Sequence, residues 1–293
     1  ATVALSPGSN ELYIYRTNED LISGNIYTSK LDGRDWSQPV KITSEVNSEG
    51  GWESSASITA DGEVIYFSSN REGGFGGKDI YRIQKLPNGN WSKAFNMGAT
   101  VNTVEEEDFP FIHPDGHTLY FSSKAHKTMG GFDVFTSQVS TWGNATEPEN
   151  LGYPINTVED DVCFVQSTDG KHGYYSSVKP DTYGSTDIYK IKMPEKNAPI
   201  PVIRGRVMAA DKFKPIQAHI TLIDEETKDV VGDYTSNLHN GNFIMVFSLE
   251  KYYKLLVEAP GYHSYSDDFW ISEIPGDGFQ KEIKLVKNDE GKK

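Results

Sequence analysis

The sequence predicts an all-β protein in two parts: a unit of short strands repeated four times, then a smaller β unit. Three observations carry this. Short apolar stretches recur every 54 residues, the chain holds 27 glycines and 16 tyrosines, and no apolar run at helical spacing is sustained anywhere. One set of copies reads Gly24-Asn25-Ile26-Tyr27, Lys78-Asp79-Ile80-Tyr81, Phe132-Asp133-Val134-Phe135 and Thr186-Asp187-Ile188-Tyr189. A second set runs beside it as Leu12-Tyr13-Ile14-Tyr15, Ile65-Tyr66-Phe67, Leu119-Tyr120-Phe121 and Tyr174-Tyr175-Ser176.

The second copy shows how each element arises. Glu53 to Thr59 suits a first strand, and Ala60-Asp61-Gly62 turns it, glycine supplying the positive φ of a tight hairpin. Glu63 to Ser69 is a β-branched and aromatic second strand. Residues 70 to 77 hold too much glycine for a strand interior, so they form a loop before a third strand, Lys78 to Gln84. Trp91 to Met97 leads into the outermost strand. The first turn recurs as Pro114-Asp115-Gly116 and Thr168-Asp169-Gly170, with Pro7-Gly8-Ser9-Asn10 as its degenerate first form. Small four-stranded antiparallel sheets that cannot bury an apolar face alone, repeated at a fixed period, predict the blades of a β-propeller over residues 1–193. The fourth copy has no outer strand before Pro194, so the strand count predicts that residues upstream of Ala1 supply it, together with further blades.

The register stops at Lys192, and residues 194–201 hold three prolines, which predicts a short, stiff linker. Residues 202–287 then offer strands at Val202 to Met208, Ala218 to Asp224, Val230 to Thr235, Asn242 to Val246, Tyr252 to Ala259 and Gln280 to Val286. Their spacing predicts a small β-sandwich, with 288–293 as a polar tail.

Charge and composition exclude several functions. The formal net charge of -14 disfavours nucleic acid and anionic lipid, both of which need clustered Lys and Arg. No apolar stretch reaches the length of a membrane span. The single cysteine, Cys163, excludes an intrachain disulfide and reads as a buried, inert thiol within Val162-Cys163-Phe164-Val165. No nucleophile elbow, phosphate loop or zinc motif is present, and His113, His117 and His126 form no known metal spacing, so no catalytic residue and no cofactor are assigned.

Two sets of polar residues follow the repeat. Asn25, Asp79, Asp133 and Asp187 occupy one position, where a carboxylate can accept backbone N–H groups and fix the entry to the third strand. Glu53, Glu107 and Asp161 occupy another, thickened by Glu105, Glu106, Asp108, Glu159 and Asp160. Because they precede the innermost strands, Glu53, Glu107, Asp108, Asp160 and Asp161 are expected to form an acidic rim at one channel mouth, a place for Ca²⁺ or a basic partner. A plain solvated rim is the competing reading. Glycan binding is a further alternative, and it requires Trp52, Trp91 and Trp142 to converge. A propeller hydrolase would instead need converging acid/base groups.

Residues Gly62 to Arg71 and Gly73 to Tyr81 resemble the propeller repeat of TolB-like proteins, in the form found in Bacteroidetes envelope proteins. Ile203-Arg204-Gly205-Arg206-Val207, Pro215 to Ala218, Gly241-Asn242-Phe243 and Tyr252 to Tyr262 resemble the carboxypeptidase regulatory-like, transthyretin-like β-sandwich. Ser9-Asn10 and Leu238-His239-Asn240 depart from those patterns. The order of the two modules, over about residues 1–287, is similar to the PorE-like periplasmic lipoproteins of the type IX secretion system, within the OmpA family. The resemblance implies a non-enzymatic periplasmic scaffold, anchored at the outer membrane in its full-length form. It also implies type IX secretion components as partners and peptidoglycan contact through an OmpA-like domain absent from this chain.

Overall fold

The computed structural model describes residues 2–6, 11–20, 23–168, 170–179, 181–193, 202–247, 251–271 and 279–288. The predicted linker 194–201, the 7–10 turn and the end of the tail lie outside them. All regular structure among the described residues is β-strand.

Four small antiparallel sheets follow one another along the chain. The first holds β1 (Thr2–Leu5), β2 (Glu11–Thr17) and β3 (Gly24–Asp32), with its outer strand split into β4 (Asp35–Trp36) and β5 (Val40–Lys41). The second is β6 (Ala56–Ile58), β7 (Val64–Ser69), β8 (Asp79–Gln84) and β9 (Phe95–Asn96). The third is β10 (Glu107–Ile112), β11 (Thr118–Ser123), β12 (Asp133–Gln138) and β13 (Glu149–Asn150). The fourth has three strands, β14 (Val162–Gln166), β15 (His172–Ser177) and β16 (Asp187–Lys192). The outer strands are shorter than the sequence predicts. In the second sheet only Phe95–Asn96 pairs as a strand, with an isolated bridge from Lys85 to Trp91 closing the hairpin.

Alternation along each strand places apolar residues on both faces, so each sheet needs a neighbour on either side. The forward face of sheet one, Tyr13 and Ile26, packs on the rear face of sheet two, Ile65, Phe67, Tyr81 and Ile83. Tyr66 and Ile80 pack in turn on Leu119, Phe121 and Phe135, and Tyr120 and Val134 on Phe164 and Tyr175. The series then stops. Tyr120 and Val134 are 2% and 0% exposed, whereas their counterparts in sheet four, Tyr174 and Ile188, are 36% and 82% exposed. The rear face of sheet one, Leu12, Ile14 and Tyr27, is likewise only half-buried.

The remaining strands are β17 (Val202–Ala209), β18 (His219–Asp224), β19 (Val230–Thr235), β20 (Asn242–Val246), β21 (Lys251–Glu258), β22 (Tyr265–Ile271) and β23 (Phe279–Leu285). They form two sheets, β20-β17-β23 and β19-β18-β21-β22, around a single apolar core that includes Val207, Met245 and Ile283 from one and Ile220, Leu222 and Leu255 from the other. β17 and β23 run parallel, and every other pair is antiparallel. The sequence reading misses β22, whose central Asp267-Asp268 pair masks an edge strand registered on Leu255 and Lys254. The atypical His239 has a role of its own. Its Nε2 donates to the Leu31 carbonyl at 2.7 Å, and the Gly33 N–H donates to its ring, fastening this unit to the first sheet.

The face-to-face packing separates two equivalent positions. Ile80→Ala is expected to cost about 3 kcal/mol, because it opens a cavity between sheets, whereas Ile188→Ala stays within about 0.5 kcal/mol. Urea unfolding of the two variants beside the parent checks both values.

Candidate functional site

The innermost strands β6, β10 and β14, with the end of β1, surround a cavity of about 1000 Å³, and Arg204 and Ile244 of the second unit reach its wall. Most of its lining is apolar, with Tyr15, Trp52, Phe109, Phe111, Val165 and Tyr174 among the larger side chains. Residues Phe109 and Cys163 sit at equivalent bulges in β10 and β14, with φ of 55° and 58°. A bulge with the first residue in the left-handed region re-aims the strand and its side chains. Cys163 is therefore exposed to the cavity rather than buried as the sequence suggests, because the bulge interrupts the strand alternation on which that reading rests. Desolvation, with help from Asp108, pushes its thiol up to about 11, so it is an unreactive thiol at neutral pH.

The buried carboxylate of the wall is fully engaged. Asp108 accepts hydrogen bonds from Ser54, Ser55 and Ser68, from the Phe109 N–H and from Lys78 Nζ at 2.6 Å. Lys78 Nζ also lies 3.9 Å from the centre of the Trp52 ring, whose Nε1 donates to the Tyr15 hydroxyl. Burial works to raise the Asp108 pKa, but Lys78 and the serine hydroxyls outweigh it and bring the carboxyl below the ordinary aspartate value. A carboxylate with this many donors is a structural anchor, with no lone pair directed at a ligand.

The expected acidic rim is corrected by burial. Glu53, Glu107, Asp108 and Asp161 are buried, and of the five residues assigned to it only Asp160 is exposed. Glu53 and Asp161 precede inner strands and Glu107 and Asp108 open β10, yet all four side chains turn into the junctions between sheets. Glu107 accepts from the Thr103 N–H, the Thr103 hydroxyl and Ser123, while Glu53 accepts from Ser48 and Ser69 with Arg71 at 3.6 Å. Desolvation raises the pKa of Glu53, Glu107 and Asp161 against the pull of these bonds.

The second repeated set lies at the same end of the sheets. Asp79 accepts from the Phe75 and Gly76 N–H groups and from Asn96, Asp133 from Met129 and Asn150, and Asp187 from Tyr183. Asn25, in the first copy, donates to Asn18 instead. Sequence reasoning misses a third set, Asn47, Asn102 and Asn156. Each is buried, and its amide pairs with both the N–H and the carbonyl of one third-strand residue, Ile26, Ile80 or Val134. The recurring dipeptides Val46-Asn47, Val101-Asn102 and Ile155-Asn156 carry the signal that could have revealed them.

The loops held by these carboxylates expose apolar side chains at matching places. Phe75, Met129 and Tyr183, one from each of the second, third and fourth repeats at the same position, are 48%, 49% and 100% exposed. Val104 and Val158, also equivalent to each other, stand exposed on the adjoining loops. The two loop sets touch: Gly77 N–H donates to the Glu105 carbonyl at 2.9 Å, and a Cβ at Gly76 or Gly130 would strike the backbone near Glu105 or Val158. Exposed Glu105, Glu159 and Asp160 flank the same surface. Trp52, Trp91 and Trp142 do not converge: Trp52 lines the cavity, Trp91 packs against the core between sheets one and two, and Trp142 stands exposed on a hairpin. His113 is buried, and among the described residues no three His, Cys, Asp or Glu side chains gather to hold a metal.

No family model and no curated protein matches the chain. Among solved structures it is similar to hydrazine synthase of Kuenenia stuttgartiensis, at 9% identity and TM-score 0.40, covering 97% of this chain and 62% of that one. The periplasmic gluconolactonase PpgL of Pseudomonas aeruginosa matches at 10% identity and TM-score 0.36, covering 92% and 84%. The xyloglucan-locus GH43B of Bacteroides ovatus matches at 13% identity and TM-score 0.40, covering 99% and 54%. Similarity this low transfers no activity. No helix of the described residues is long and apolar enough to cross a membrane.

Replacing Lys78 by Met leaves Asp108 buried without its cation, with an expected loss of about 3 kcal/mol in urea unfolding. The acids differ in sign. Asp108, with its folded pKa depressed, contributes stability above its unfolded value near 3.9 that is lost as pH falls through the folded pKa, so the deficit of Asp108→Asn shrinks in acid. Glu107, with its folded pKa raised, contributes most below about 4.3 and loses that contribution as pH rises, so Glu107→Gln gains on the parent between pH 4 and 7. Unfolding free energies measured from pH 2.5 to 7 test both directions.

Proposed function

We propose that this chain is a non-catalytic protein-interaction scaffold of the bacterial periplasm. In this reading the four repeat sheets are blades of a TolB-like β-propeller, the open face of the fourth is where a further blade packs, and the two-sheet unit is a transthyretin-like sandwich. The observation that carries it is the row Phe75, Met129 and Tyr183, presented from equivalent loops beside Val104 and Val158 and flanked by Glu105, Glu159 and Asp160. Aromatic and methionine side chains on a stiff frame suit a protein interface, since little conformational entropy is lost when they are covered. The flanking carboxylates favour a partner that is basic around an apolar centre. The engaged state of Asp108 and the protonated thiol of Cys163 argue against chemistry in the cavity. From the family resemblance, the partners are type IX secretion components and the full-length protein meets peptidoglycan through an OmpA-like domain.

Crosslinked affinity purification of the full-length protein from envelopes tests the proposal. Type IX components should be recovered, and the triple variant Phe75→Ala, Met129→Ala, Tyr183→Ala should reduce recovery at least about tenfold, as loss of two or three interface anchors does. Undiminished recovery by the triple variant would sink the loop face as the contact.

A glycan-binding reading is favoured by one different observation. Tyr252 and Trp270 stand exposed on the outer face of the second unit, with ring centres 4.6 Å apart, a pair on which a sugar ring could stack. Retention of the protein on isolated sacculi that Trp270→Ala leaves unchanged would rule this out.

A further inference from the structure

In each of the first three sheets one stretch of chain closes the edge of the third strand, and the fourth sheet has the edge without the stretch. The N–H and carbonyl of Ile26, Ile80 and Val134 pair with the amides of Asn47, Asn102 and Asn156, and the same carbonyls accept the N–H of Ile42, Met97 and Leu151. Further along the third strand, the N–H of Lys30, Gln84 and Gln138 donates to the hydroxyls of Ser37, Ser92 and Thr146, whose own N–H groups donate back to the carbonyls. In sheets two and three Asn96 and Asn150 also donate to Asp79 and Asp133, at 2.7 and 2.8 Å.

These contacts explain a sequence pattern. Ser92 to Asn102 and Thr146 to Asn156 both read Ser/Thr-x-x-x-Asn-Met/Leu-Gly-x-x-Val/Ile-Asn, and Ser37 to Asn47 is a looser first copy, with Lys41 and Thr43 at the middle asparagine and the glycine. Gly98 and Gly152, with φ of 80° and 66°, donate their N–H groups to that middle asparagine, and the left-handed backbone favours glycine there. Val46, Val101 and Ile155 are buried in the cores between successive sheets. Each stretch then runs into the first strand of the next sheet, β6, β10 or β14. In the fourth sheet Ile188, Lys192 and Asp187 hold the places of Ile80, Gln84 and Asp79. Among the described residues β16 pairs with β15 alone, and Asp187 accepts from the Tyr183 N–H with no asparagine beyond it. Nothing after Lys192 repeats the pattern.

We propose that the outer edge of β16 is an acceptor site for an extended strand of this sequence class, donated by the segment that leads into the further sheet. The site rests on the blade reading given above and is separate from the loop face. An edge strand offers its N–H and carbonyl groups as a template for another strand, and side-chain positions beside that ladder decide which strand fits. Here Asp187 selects an asparagine, as Asp79 and Asp133 do. The space over Ile188 selects the Val/Ile position: Ile188 is 82% exposed, whereas Ile80 shares a core with Val101 and is fully buried. A donor of this class would supply the edge bonds of sheet four and cover part of its open forward face in one step.

Hydrogen exchange of the whole chain with a synthetic peptide of residues 92–102, at about 1 mM, the effective concentration a short tether supplies, is the test. Amides of 187–192 should exchange at least about tenfold more slowly, while those of 79–84, already paired to their own stretch, should not change. Replacing both asparagines of the peptide by alanine should weaken its binding in calorimetry at least about tenfold. Ile188→Pro removes an N–H from an edge, where proline is tolerated, and should abolish the protection. Unchanged exchange over 187–192, or equal binding by the alanine peptide, overturns the proposal. Protection of the same amides on raising the protein concentration without peptide also overturns it, by giving the edge to a second copy. Should Ile188→Pro fail to fold, the two peptides decide alone. None of these changes touches Phe75, Met129 or Tyr183, so failure here and failure of the affinity purification are separate results.

Discussion

The structure depends on one constraint, that a sheet of three or four short strands cannot bury two apolar faces by itself. Tyr13, Tyr66 and Tyr120 are shielded because the rear face of the next sheet lies against them. Stability in such an array is supplied largely by neighbours, so it is shared along the series and falls at its ends. The fourth sheet makes this visible, for the same residue types at Tyr174 and Ile188 face solvent.

Polar residues solve the complementary problem, the joints. Each junction needs loops from two sheets to meet at one end without leaving backbone groups unpaired. Asp79 and Asp133 gather the glycine-rich loops, Glu53, Glu107 and Asp161 tie the entering strand to the loop before it, and Asn47, Asn102 and Asn156 pair with the third strand where the outer strand has run out. The carboxylates that give the chain its acidic character are thus partly internal. Once these groups hold the loops, Phe75, Met129 and Tyr183 are presented at fixed positions, so the proposed contact surface is a consequence of the joints rather than a separate feature.

How much of this was legible follows from the physics of each signal. Strand interiors such as Val64–Ser69 and Asp133–Gln138 announce themselves through β-branched and aromatic residues bounded by glycine turns. The edge strand Tyr265–Ile271 does not, because exposed positions on an edge tolerate Asp267 and Asp268. The acidic positions were legible as a repeat and misjudged as a surface, since period gives placement along the chain but not the direction of a side chain beside a bulge or loop. The bulges at Phe109 and Cys163 illustrate the same limit, as a single left-handed residue moves a side chain to the cavity without leaving a compositional trace. The Asn47, Asn102 and Asn156 set was written at the repeat period but hidden in segments that read as loops.

The most direct measurement is hydrogen exchange of the third and fourth sheets in one sample, comparing amides of 118–123 and 133–138 with those of 172–177 and 187–192. If burial is supplied by the next sheet, the fourth sheet should exchange at least about tenfold faster, a difference of about 1.4 kcal/mol in local opening. Equal protection of the two sheets would contradict the account, because it would mean that the forward face of Tyr174 and Ile188 needs no neighbour.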